Sequence, residues 1–151
     1  MRIEEIIKTT FPMAQEKKAL LNVMYTQNVI ADQFNELLKP FDLSAEQFNV
    51  LRILRGQKGN PVNMCTIQER MIAKTSNTTR LVDKLLLKEL VTREVCPANR
   101  RKIEVTITQK GLDLLIELEP KVKIHEESYS QKLSEEERLQ LNELLEKFRN
   151  Q

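Results

Sequence analysis

The chain has 151 residues, 40% apolar and 30% charged, with three Gly, five Pro and no Trp. That is enough for one domain with a real core, or one domain with a helical arm, and the 5% of aromatic residues argues against an all-β sandwich. A formal charge of +2 says little until it is divided along the chain.

Residues 1–40 carry five basic and five acidic residues, net zero. Residues 41–111 carry thirteen basic against seven acidic, net +6, and residues 112–151 six against ten, net −4. A basic centre and an acidic tail suit a polyanionic partner, although solvated helix faces can segregate charge in the same way. Cys65 and Cys96 make no disulfide framework. The N-terminus has no signal-length apolar region, and no run approaches the roughly 20 apolar residues of a membrane span. The expectation is a cytoplasmic protein with reduced thiols and no membrane partner.

In chain order, Ile3, Ile6, Ile7 and Phe11 stand at near-helical spacing before Pro12. They read as a short amphipathic segment or a frayed terminus. From Ala14 to Leu38 one long helix is expected, with Leu20, Met24, Ala31, Phe34 and Leu38 flanked by Leu21, Val23, Ile30 and Leu37. Its apolar surface is wider than one stripe, so it must bury more than one face. Pro40 ends it.

Ser44 and Gln47 have capping-box spacing at the start of the next helix, with Phe48, Leu51 and Leu54 inward. Gly56 and Gly59-Asn60-Pro61 close it. Val62 to Met64 make a very short strand. Thr66 and Glu69 suggest a second capping box, opening a helix to Ile72 with Ile67, Met71 and Ile72 inward, whose free N–H groups could hold a phosphate. Thr75 is a candidate cap for the helix after it, which reaches Leu87–Glu89, roughly fourteen residues or about 21 Å.

Val91–Val95 and Ile103–Ile107 alternate as strands around a turn at Pro97-Ala98-Asn99-Arg100. Thr108 starts a helix with Gly111 in its first turn, which implies close packing there. Pro120 is expected to break or kink it near Leu118, with resumption to Lys132. Ser134 and Glu137 form a third capping box before Leu139, Leu141, Leu144, Leu145 and Phe148.

Two helices, a tight turn and a hairpin describe a winged helix-turn-helix. The fold class is mostly α with a small β wing, plus a helical dimerisation region. Ser76, Asn77, Thr78, Thr79 and Arg80 would expose small polar groups to base edges, and Asn77 could donate and accept together. Arg80 and Lys84 share one helix face, suited to phosphate or a purine edge. Arg100 and Arg101 at the hairpin tip would suit a narrow minor groove. Catalysis has little support: the one histidine, His125, lies on a polar stretch, and no phosphate-cradling glycine loop appears. No metal, cofactor or catalytic residue is expected, and no ligand-site residue can be assigned.

The set Leu43-Ser-Ala-Glu-Gln47, Val50-Leu51, Thr78-Thr-Arg-Leu-Val-Asp83, Leu85, Leu90-Val91, Arg93, Asn99-Arg-Arg101, Val105-Thr-Ile-Thr108 and Gly111 resembles the MarR family of bacterial transcription regulators. The resemblance covers essentially the whole chain. It implies a homodimeric repressor on a pseudo-palindromic double-stranded DNA operator, released by a small aromatic or phenolic effector in many members. It divides the chain into an N-terminal helical dimerisation segment (1–40), a winged helix-turn-helix (41–111) and a C-terminal helical dimerisation segment (112–151), intertwined as one domain. The alternative is a winged-helix protein-interaction module without specific DNA binding, which the basic centre argues against. The chain departs from the family pattern twice. Asn99 replaces the first acid of the wing's Asp-x-Arg, and Glu89 replaces a glycine after the reading helix. A Glu at positive φ is strained, so a locally different helix end is expected. The family's redox members use a cysteine in the first helix, so Cys65 and Cys96 are read as inert.

Overall fold

The computed structural model describes residues 1–99 and 102–150. It forms two compact units, Met1–Ala45 and Glu46–Gln151.

The first unit holds α1 (Ile3–Ile6) and α2 (Gln15–Leu38), then a 3-10 turn at Lys39–Phe41 that contains Pro40. Ile3 is buried, and Lys18 Nζ meets Glu4 Oε1 at 2.7 Å. The Lys18 hydrogen bond holds the Glu4 carboxyl below its ordinary range. Asp42 follows with φ 52°, turning the chain after α2. Leu20, Val23, Met24, Tyr25 and Ile30 of α2 stay exposed, so the wide apolar surface expected from the sequence is present and largely uncovered.

The second unit starts with the rest of α3 (Ala45–Arg55), then β1 (Val62–Asn63), α4 (Met64–Arg70) and α5 (Thr78–Leu87). The hairpin β2 (Val91–Val95) and β3 (Ile103–Ile107) comes next, then α6 (Gln109–Ser130) and α7 (Glu135–Arg149). The sheet has the order β1-β3-β2, antiparallel throughout. Val50, Leu51 and Leu54 of α3, Ile67 of α4, Val82 and Leu85 of α5, Val105 of β3 and Leu115 and Leu118 of α6 are buried and form the core. Each such side chain contributes about 1.5–3 kcal/mol.

Four local expectations need correction. The α4 helix begins at Met64, with Asn63 as its cap: Asn63 Oδ1 accepts the Thr66 N–H at 2.9 Å. Asn63 ends β1 in extended backbone, so its side chain meets the helix before Thr66 can. Ile72 is 87% exposed rather than inward. The helix stops at Arg70 and Met71 turns extended, which carries Ile72 out of the apolar stripe. The α5 helix has ten residues, about 15 Å, and is capped by Asn77 rather than Thr75.

Finally, α6 runs through Pro120 without a break. Pro120 is exposed while Leu115, Leu118 and Val122 are buried, so packing on both sides of the proline outweighs the lost N–H.

Two other expectations hold. Ser134 and Glu137 form a reciprocal capping box on α7. A Cβ on Gly111 would lie 2.4 Å from the Leu90 carbonyl oxygen, so any side chain there would force the backbone to shift.

Candidate nucleic-acid interface

The candidate interface is α5, the turn before it and the hairpin after it. Asn77 is extended and its Oδ1 accepts the Arg80 N–H at 3.0 Å, which starts the helix. Val82 and Leu85 anchor one face in the core. Thr79, Arg80, Asp83 and Lys84 are exposed on the rest.

The residues singled out from the sequence separate here. Asn77, Thr79, Arg80 and Lys84 are exposed, Ser76 is half-buried, and Thr78 is 6% exposed. Thr78 donates its hydroxyl to Gln68 Oε1, so it is turned into the protein and does not offer that group to a base. The Asn77 side-chain oxygen Oδ1 is engaged as a cap, which leaves the side-chain amide hydrogens as the natural contact. Arg100 and Arg101 lie outside the described residues.

The hairpin keeps strict register from Val91↔Ile107 to Val95↔Ile103. Its loop is closed by Cys96 N–H to the Lys102 carbonyl at 2.9 Å and Lys102 N–H to the Asn99 carbonyl at 2.8 Å. Asn99 is exposed at the turn. Glu94 and Glu104 stand directly opposite each other, a like-charge pair that makes this strand pair less favourable.

One ion pair at this surface is not foreshadowed by the sequence. Arg93 of β2 donates from Nη1 to Asp83 Oδ1 of α5 at 2.6 Å. Asp83 is the one carboxylate on the exposed face of α5. Arg93 neutralises it, so the charges left toward solvent on that helix are Arg80 and Lys84. Helix spacing marks Asp83 as exposed, but nothing in the order of residues pairs it with a strand residue ten positions away.

The far end of α5 is also defined. Glu89 N–H donates to the Leu86 carbonyl at 2.9 Å and Leu90 N–H to the Leu85 carbonyl at 3.0 Å, the paired bonds of a Schellman ending. Glu89 takes φ 60°, so the glycine-type ending is kept without glycine. Lys110 Nζ meets Glu89 Oε2 at 2.9 Å and holds that carboxyl below its ordinary range, chiefly through the hydrogen bond. The Thr108 hydroxyl donates to the Glu89 carbonyl at 2.8 Å and accepts the Gly111 N–H at 3.1 Å. One hydroxyl thus joins the end of α5 to the start of α6.

Apart from this surface, a cavity of about 220 Å³ lies between α3 and α6. Phe48, Leu115 and Val122 supply its apolar wall, and Arg52, Arg55 and Glu119 much of its charged rim. Arg52 lies over the Phe48 ring at 5.9 Å, and Arg55 Nη1 is 3.9 Å from Glu119 Oε1. Among the described residues no group of three or more His, Cys, Asp or Glu could hold a metal ion. No helix among them is long and apolar enough to cross a membrane. His125 is half-buried, edge-on to Tyr129 at 5.3 Å between ring centres.

The MarR family profile matches residues 43–103. The chain is 31% identical over 116 residues to the HTH-type transcriptional regulator MhqR of Bacillus subtilis (strain 168), covering 77% of this chain and 79% of that one. A MarR transcription factor from Planctomyces limnophilus is 33% identical, with a TM-score of 0.69 over 91% of this chain and 98% of that one. BpsR of Bordetella bronchiseptica, whose DNA binding is regulated by 6-hydroxynicotinic acid, has the same fold: TM-score 0.76 at 24% identity, over 95% of this chain and 99% of that one.

Proposed function

Because this chain belongs to the MarR family, whose members are DNA-binding transcription regulators rather than enzymes, we propose that it is a homodimeric repressor of a pseudo-palindromic operator. The observation that carries the reading is the exposed face of α5, where Thr79, Arg80 and Lys84 stand free beside a carboxylate already neutralised by Arg93. Small polar groups at the start of such a helix suit base edges, and the two cations suit phosphate. The residues proposed to touch DNA are Ser76, Asn77, Thr79, Arg80 and Lys84, with Arg100 and Arg101 of the wing carried over from the sequence.

Dimerisation is supported by apolar surface on both terminal helices. In the first unit α2 exposes Leu20, Met24 and Tyr25. In the second, α7 exposes Leu139, Leu144 and Phe148 and buries none of its residues. Helices that leave such rows in water need a partner, and a second copy supplies the same rows by symmetry. Residues 1–40 and 112–151 are therefore proposed as the dimerisation segments around the reader at 41–111. Two readers would then engage half-sites about one DNA turn apart.

Release by a small aromatic or phenolic effector fits the cavity between α3 and α6, whose apolar wall of Phe48, Leu115 and Val122 suits an aromatic ring and whose Arg52 guanidinium suits the ring's oxygen. Footprinting upstream of the chain's own gene, with and without added phenolic compounds, tests the reading. A protected inverted repeat that reopens with effector is expected. Absence of protection at low salt would overturn it. Sedimentation of the free protein tests the dimer, and a monomer at micromolar concentration would remove it.

A further inference from the structure

The segment between α4 and α5 has no regular structure of its own, so what holds it sets the angle of α5. One backbone turn bond, from the Ser76 N–H to the Ala73 carbonyl at 3.1 Å, and two side-chain amides hold it. Asn49, on α3, accepts the Ile72 N–H at 3.0 Å. Gln68, near the end of α4, donates from Nε2 to the Lys74 carbonyl at 2.6 Å and accepts the Thr78 hydroxyl at Oε1. Lys74 Nζ in turn donates to the Glu69 carbonyl. Both ends of the Gln68 amide are therefore used, one on the turn and one on the first residue of α5. Thr78 is buried, so its hydroxyl has little water to turn to if Gln68 is lost.

We propose that Asn49 and Gln68 are positioning residues for DNA reading: an amide clasp that fixes how α5 is presented to the groove before DNA arrives. The proposal rests on the DNA-binding function of the family and adds residues that touch no DNA themselves. Neither residue is charged, both are half-buried, and the three bonds they make are all to the protein's own chain. Loosening the clasp tilts α5 and spoils the geometry of base recognition, which tolerates little displacement. The long side chains of Arg80 and Lys84 follow a phosphate through such a tilt. Discrimination should therefore fall while electrostatic affinity survives.

The test uses the full chain and a duplex recovered by wild-type selection from a random library, with a random duplex as reference, both titrated over a range of salt. Gln68→Leu is expected to lose roughly tenfold on the selected duplex, with little change on the random one and the same salt slope. Repeating the selection with this variant should return a broader set of sequences. Adding Thr78→Val to Gln68→Leu removes the orphaned hydroxyl, so the double variant should lose no more than the single one.

Circular dichroism checks the fold. Should Gln68→Leu not fold, Asn49→Ala removes the other arm of the clasp, the bond from the Ile72 N–H, without adding charge and gives the same readout in milder form. Equal loss on both duplexes, a changed salt slope, or unchanged discrimination by the folded variant would each overturn the clasp. If the wild-type chain selects no sequence, the reading function fails as well, and both ideas fall together.

Discussion

Gly111→Ala probes the junction on which the reader is mounted. A Cβ there would lie 2.4 Å from the Leu90 carbonyl oxygen and 2.8 Å from Ile107 Cγ1. The carbonyl cannot retreat freely. It accepts the Thr108 N–H at 3.1 Å, and the Leu90 N–H is bonded to the Leu85 carbonyl at 3.0 Å. Overpacking costs about 1–3 kcal/mol where side chains can yield, and a fixed backbone atom puts this site near the upper end of that range. Alanine returns about 1 kcal/mol over glycine within a helix, leaving a net loss of about 2 kcal/mol. For a chain of this size that lowers Tm by roughly 4–8 °C. Urea unfolding followed by circular dichroism, at fixed protein concentration, should show a lower midpoint with the slope unchanged. A variant as stable as the parent would refute the reasoning, because only the helix-propensity gain would then be operating.

Lys84→Ala should weaken binding to specific and random duplexes alike and reduce the salt slope by about 0.9 for each phosphate that the lysine neutralises. An unaltered slope would take Lys84 off the DNA backbone. Arg93→Met leaves the Asp83 carboxylate uncompensated beside Arg80 and Lys84, so DNA affinity should drop several-fold with little change in the far-ultraviolet spectrum. Equal affinity would show that Asp83 is too remote to matter. For the Glu89–Lys110 pair the folded carboxyl lies below its ordinary value of 4.5. Its contribution is therefore full above that pH and lost as pH falls through the folded value. Lys110→Met should be less stable than the parent near neutrality and match it in strong acid, and a gap that persists in acid would assign the effect to packing instead.

The elements were legible because each rests on a local signal. Alternation placed β2 and β3 at Val91–Val95 and Ile103–Ile107, the bounds observed. Ser134 and Glu137 announced α7, and an awkward glycine announced a tight approach. Local signals also misled where a stronger local rival stood nearby. Asn63 took the cap assigned to Thr66, and Asn77 the one assigned to Thr75. Pro120 was read by its intrinsic cost, which the buried residues on either side outweigh.

The candidate site was legible as a set of positions but not as directions. Helix spacing put Thr78 among the polar residues at the start of α5, yet Gln68 draws it inward, and that bond joins residues ten apart. Glu89 makes the same point about the backbone. A substituted glycine suggested a different helix end, but two main-chain bonds of the Schellman ending, a bond from the Thr108 hydroxyl to the Glu89 carbonyl and an ion pair to Lys110 all draw on the turned conformation. Together they can offset the cost of one left-handed residue. Composition does not encode that balance, because the partners come from different elements. The reader is thus held at both ends of α5 by bonds invisible in the motif: the Gln68 amide at its start and the Thr108 hydroxyl at its finish.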